Sequence, residues 1–208
     1  MSDLALAIAT IALVQLMGTM SPGPSFLIVS QTAVAESRAT ALRLAFGLAI
    51  GTVIWAVSAM LGLKALLTAF GSLYLIMKIA GGLYLIYLAV QLWRYAAEPL
   101  AVPLGRHAPC PGAGAVRRGI LAQLANPKVA VFYGSVFVTM LPPETPAWAK
   151  LAVCAIVFTN VFVWYSLVAL VLGAEQARVR YARFKRWIGR ASGSVLALLG
   201  LRLVADRG

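Results

Sequence analysis

The stretch Ser21-Pro22-Gly23-Pro24-Ser25 lies between two apolar runs, Leu4 to Met20 and Phe26 to Ala35. Two prolines around a glycine cannot continue a helix, because each proline lacks a donor and clashes with the preceding turn. Residues 4–35 therefore read as one membrane segment broken near its middle. In lipid, such a break survives only where protein or a polar cavity satisfies the freed backbone groups. A second interruption, Asn126-Pro127-Lys128, opens the apolar run Val129 to Leu141. Paired breaks in the two halves of a membrane chain are the best sequence-level pointer to a transporter's binding site.

The chain of 208 residues is 62% hydrophobic and only 12% charged. Soluble domains are about half apolar and about a quarter charged. The excess lies in runs of roughly 20 residues, the length that spans a bilayer as a helix. The fold class expected is an all-α integral membrane protein forming a single transmembrane domain over 1–208, with about six spans. They fall at roughly 4–35 (broken), 43–67, 70–93, 116–141 (broken), 148–172 and 188–205. Residues 94–115 carry Pro99, Pro103, Pro109, Pro111, Gly105, Gly112 and Gly114 and read as a linker. It separates repeat one, about 4–93, from repeat two, about 116–205. The segment from Lys78 to Leu92 aligns on Gly189 to Leu203 without a gap, so that Gly82 meets Gly193, Leu85 meets Leu196 and Leu88 meets Leu199. Three spans per half is odd, so the halves are expected to be inverted in the membrane.

The formal net charge of +12 comes from 18 Lys and Arg against six acids. These cations cluster in short loops between spans, which points to topology rather than to nucleic acid. The loops after spans one, three and five hold Arg38; then Arg94, Arg106, Arg117 and Arg118; then Arg178, Arg180, Arg183, Lys185, Arg186 and Arg190. That side is expected in the cytoplasm, with both termini outside it. In residues 174–189, Ala177, Tyr181, Phe184 and Ile188 share one helical face. This segment reads as an interfacial helix against anionic lipid headgroups, chiefly a topology anchor. Cys110 and Cys154 read as two unpaired small residues. No Lys or Arg precedes Arg38, so the first segment reads as a retained span rather than a signal peptide.

The only histidine, His107, is in the linker, and all six acids lie at or near span ends or in loops. No carboxylate pair or His/Cys/Asp cluster can be placed inside the membrane, which argues against intramembrane acid–base catalysis and metal ligation. No cofactor is expected. The breaks themselves carry the candidate site. A helix restarting after Pro24 presents the positive end of its dipole, with Ser21 and Ser25 as capping hydroxyls. Asn126-Pro127-Lys128 supplies a capping amide, a proline near a helix start and a cation. Ser21, Pro22, Gly23, Pro24, Ser25, Asn126, Pro127 and Lys128 together suit a carboxylate. Lys78, inside the third span, either faces the bundle or snorkels to the near interface. Among the tyrosines, read mainly as belt or packing residues, Tyr84 and Tyr133 are those that could reach a polar cavity. Gly47-x-x-x-Gly51 marks close helix packing and says nothing of substrate.

Ser21-Pro-Gly-Pro24, Gly47-x-x-x-Gly51, Lys78-x-x-Gly81-Gly82-x-Tyr84-Leu85 and Asn126-Pro127-Lys128 together resemble the LysE/RhtB family of amino-acid exporters. The likeness follows the family's order along nearly the whole chain. It departs at the turn Glu36-Ser37-Arg38-Ala39-Thr40-Ala41, which has no glycine. The resemblance implies a secondary transporter of the bacterial cytoplasmic membrane that exports amino acids or their derivatives, driven by the proton gradient. With no acid deep in a span, zwitterionic substrates are expected over lysine or arginine. A membrane scaffold and a metal exporter stand as alternatives, and a homodimer is left open as an assembly.

Overall fold

The computed structural model describes the chain except residues 1, 22, 70, 95–111, 138–139, 142–143, 173–186, 188–189, 192, 203 and 206–208. The described residues are helical, with no strand among them. Residues 95–111 of the expected linker and all but Trp187 of the basic 174–189 segment fall outside them, and helix begins within the linker's end, at Ala113.

Helix α1 (Ser2–Met20) and helix α2 (Pro24–Ala35) are bent by 56° at the Ser-Pro-Gly-Pro break. Pro24 stands at the first turn of α2, where its missing N–H costs nothing. α2 ends where the Glu36 and Ser37 N–H groups both donate to the Thr32 carbonyl, at 3.0 and 3.2 Å. The Ser37 hydroxyl then accepts from the Thr40 N–H at 3.1 Å and caps helix α3 (Arg38–Ala69). A serine cap thus makes this turn, which needs no glycine. α3 begins five residues before the expected start of span two. At 32 residues it is roughly 48 Å long at 1.5 Å per residue.

Helix α4 (Gly71–Arg94) follows, then helix α5 (Ala113–Leu124) and the short helix α6 (Pro127–Val131). α6 continues as a π-helical stretch, Phe132–Phe137. Helix α7 (Ala147–Leu172) and a last apolar helix, Gly193–Arg202, complete the described elements. Among the described residues, two stretches are each long and apolar enough to cross a membrane, Arg38–Gly62 and Ala147–Val171, and the bent α1–α2 pair makes a third.

α3 and α7 form the spine. One buried cluster gathers Ile11, Val14, Ala56, Leu85, Phe132, Val153, Val157 and Leu196. A second gathers Phe26, Val29, Leu44, Leu48, Val161, Tyr165 and Val168. Lipid is as apolar as leucine, so what holds helices together here is close packing, for which small residues are needed. The Gly47-x-x-x-Gly51 face does this against α5. A Cβ on Gly47 would collide with the Val116 carbonyl, one on Gly119 with the Leu44 carbonyl, and one on Gly51 would come within 2.8 Å of Gln123 Cβ.

α4 and the last helix meet in the same way, with a regularity that bears on the repeat. A Cβ on Gly82 would lie 3.0 Å from the Gly200 carbonyl and 2.5 Å from a Val204 methyl. A Cβ on Gly193 would lie 3.0 Å from the Ala89 carbonyl and 2.5 Å from the Trp93 ring. In the gap-free alignment of these helices, Gly82 corresponds to Gly193, Ala89 to Gly200 and Trp93 to Val204. The two helices thus run antiparallel, with a glycine of each against the backbone of the other.

Candidate functional site

The two breaks come together. At the second, Asn126 adopts extended backbone and its Oδ1 accepts from the Lys128 N–H at 3.1 Å, capping α6 as expected of an amide ahead of Pro127. The first break is capped differently. The residue before α2 is Gly23, and no side chain caps the helix there. The expected capping role of Ser21 and Ser25 is therefore corrected. The Ser25 hydroxyl points across to the other half and donates to Gln123 Oε1 at 2.7 Å, while Asn126 Nδ2 donates to Ser25 Oγ at 2.9 Å. Two buried amides, one as acceptor and one as donor, hold this hydroxyl in place of a local backbone N–H. Ser21 contributes its carbonyl, which accepts from Lys128 Nζ at 3.0 Å.

This last bond joins the halves through a cation. The Ser21 carbonyl follows the last turn of α1, where the helix dipole is negative and favours a positive charge. Among the described residues no carboxylate pairs with Lys128. A cation in such a place is stabilised when an anion is brought to it.

From Ser25 the network runs on. Gln123 Nε2 donates to Thr52 Oγ1 at 2.7 Å, Thr52 donates to the Leu48 carbonyl at 2.9 Å, and Trp55 Nε1 donates to the Gln123 carbonyl at 3.3 Å. A second network faces it. Asn160 Nδ2 on α7 donates to Gln15 Oε1 at 2.9 Å and to the Ala12 carbonyl at 3.1 Å, and Gln15 Nε2 donates to Thr19 Oγ1 at 3.0 Å. Between them is a cavity of ≈ 40 Å³, lined by Gln15, Thr19, Ser25, Asn126, Lys128 and Tyr133 among others. That is room for about three waters. A larger cavity of ≈ 360 Å³ borders it, lined by Tyr84, Tyr87, Gln91, Pro24, Pro127 and Val131. Ser21, Gly23 and Lys128 line both, so the Lys128–Ser21 bond stands where the two meet.

Of the residues expected from sequence, Ser25 and Asn126 reach the small cavity, and Pro24, Pro127 and Tyr84 reach the large one. The Tyr84 hydroxyl donates to the Lys128 carbonyl at 3.0 Å. Tyr133 is buried and lines the small cavity. Pro22 lies outside the described residues, as does the side chain of Lys78, whose backbone is in α4. Gln15, Thr52, Gln123 and Asn160 were not anticipated. Their signal was an uncharged amide or hydroxyl inside an apolar run, weaker than that of a charge but of the same kind.

At the end of α2, Arg118 donates to Glu36 Oε1 at 2.8 Å and to Thr32 Oγ1 at 2.7 Å. The Glu36 side chain is only 6% exposed. This acid, expected at a span end, is thus held in an ion pair with α5.

Residues 16–207 match the family described as LysE type translocator. The chain belongs to the LysE translocator family. Members are multi-pass proteins of the bacterial inner membrane, and the apolar helices described above fit that setting. The chain is 33% identical over 204 residues to a threonine efflux protein of Escherichia coli (strain K12), covering 95% of this chain and 97% of the relative. It is 29% identical over 194 residues to a homoserine/homoserine lactone efflux protein of Salmonella typhimurium, covering 91% of each. No solved structure matches it.

Proposed function

We propose that this LysE translocator exports small zwitterionic amino acids, threonine and homoserine among them, from the cytoplasm by alternating access. The observation that carries this reading is Lys128, whose ammonium donates to the Ser21 carbonyl where the two broken helices meet and pairs with no carboxylate among the described residues. The substrate carboxylate takes the place of the Ser21 carbonyl on Lys128 Nζ, with the Ser25 hydroxyl and the Asn126 amide beside it. The ammonium is received by the carbonyl and amide oxygens of the opposite wall, around Gln15 and Thr19. Two of the substrates in the relatives' names, threonine and homoserine, are neutral amino acids with one hydroxyl more to satisfy, and the cavity walls supply hydroxyls and amides for it.

The six-span arrangement as two inverted repeats belongs to the same proposal. It is supported by the meeting of the two proline breaks, joined by the Ser25–Gln123 and Lys128–Ser21 bonds, and is compatible with the antiparallel glycine contact of α4 with the last helix. A pseudo-two-fold axis through the site lets the halves rock about it. Coupling to the proton gradient is supported by the family resemblance alone.

Counterflow of L-[14C]threonine in proteoliposomes tests the reading. The parental protein should exchange threonine, homoserine should compete, and lysine should compete poorly. Lys128→Ala removes a bond to a charged group, worth about 1.5–3 kcal/mol, and should lower the apparent affinity about tenfold or more. Parental-rate counterflow by a folded, inserted Lys128→Ala protein would remove this site from the reading.

A further inference from the structure

The larger cavity is unexplained by a site built around the small one. Its α4 wall presents Tyr84, Tyr87 and Gln91, spaced i, i+3 and i+7 and so on one helical face. The face that α4 turns to the last helix is a different one, made by Gly82, Leu85, Ala89 and Trp93. Packing on the last helix therefore does not require the tyrosine stripe, of which Tyr84 alone also packs against the buried cluster around Ile11 and Phe132. Its geometry is nonetheless ordered. The Tyr84 and Tyr87 rings stack with centroids 6.1 Å apart at 27°, and the Gln91 amide donates to the Tyr87 hydroxyl at 2.6 Å. Tyr84 is also tied to the Lys128 carbonyl. Tyr87 is 54% exposed. The stripe runs along α4 toward Arg94, at the end that loop charges assign to the cytoplasm.

We propose that this larger cavity is a second substrate station, a loading site on the cytoplasmic side of the Lys128–Ser21 bond, and that Lys128 serves both stations. The inference rests on the export reading. The chemistry fits the two ends of a zwitterion. Aromatic faces attract an ammonium group, and Lys128, which borders this cavity as well as the small one, attracts the carboxylate. While Lys128 holds the Ser21 carbonyl, the two cavities are divided. A carboxylate arriving in the larger one competes for the ammonium, loosens that bond and follows Lys128 inward. The substrate thus removes its own barrier.

The test uses the whole protein and L-[14C]threonine. Uptake into inside-out vesicles reads transport from the cytoplasmic face, and uptake into right-side-out vesicles reads the opposite face. Tyr87→Ala should raise KM at the cytoplasmic face about threefold to tenfold, the range of one partly exposed cation–π contact. KM at the opposite face should change less than twofold. Tyr87→Phe, which keeps the ring and loses only the hydroxyl, should stay near the parent. An unchanged KM at both faces, as expected if a lipid chain fills the cavity, would overturn the loading station while leaving the export reading intact. So would an equal change at both faces, which a general distortion of the fold would produce. Absence of threonine transport in the parental protein would overturn the export reading, and this inference with it.

Discussion

At the scale of single residues the site is a matter of polar groups that have nowhere else to go. Ser25 sits between Gln123 and Asn126 as acceptor of one amide and donor to the other. Ser25→Ala removes both bonds at once and leaves a buried carbonyl and a buried N–H short of a partner, a cost of about 1–3 kcal/mol each. The expected outcome is export weakened about tenfold per folded protein, read as the threonine concentration giving half-maximal counterflow. Gln123→Leu should be at least as damaging, because it strips Ser25 and Thr52 together. The serines and Asn126 were legible in sequence because they flank prolines. Gln123 was not. A glutamine in an apolar run names no partner, and the two residues it bonds, Ser25 and Thr52, are distant in the chain.

At the scale of elements, glycine decides which helices touch. α5 is short, and it stands close to α3 because Gly47 and Gly119 put backbone against backbone. Gly119→Val should push α5 off α3, since its first side-chain atom meets the Leu44 carbonyl, which cannot rotate away. Overpacking of this kind costs about 1–3 kcal/mol, and here it also displaces Gln123, one turn further on. Lower abundance of folded protein and a lower unfolding temperature in detergent are expected, with residual transport impaired beyond the loss of protein. The Arg118–Glu36 pair joins α5 to the end of α2, and it explains why the acid at that turn is tolerated.

At the scale of the whole molecule the claim to check is topology. The inverted-half arrangement puts a reporter fused after Arg106 in the cytoplasm and one fused after Gly208 outside it. With the Arg106 reporter in the cytoplasm, a cytoplasmic signal at the C-terminus would require an even number of spans after residue 106 and would remove the inversion. The alignment of the third and sixth spans already implied a repeat, though leucines shared between apolar helices are weak support. The antiparallel meeting of α4 with the last helix, through glycines that the alignment places opposite each other, is compatible with the repeat.

The sequence by itself determined that the chain is a helical membrane protein with two broken helices, and that its polar break residues belong to one family of translocators. These properties are local. Apolar run length, proline geometry and loop charge act through the residues on either side of them. Only the tertiary structure decided how the breaks are joined. It gave the first break no side-chain cap and turned the Ser25 hydroxyl to the other half. It put Lys128 on the Ser21 carbonyl just past α1 and built the cavity walls with Gln15, Thr52 and Gln123, Gln15 being held by Asn160. The physical reason is that a hydroxyl or amide in a dry interior must bond to something. What it bonds to is set by which helices meet there, and spacing along one chain does not contain that information.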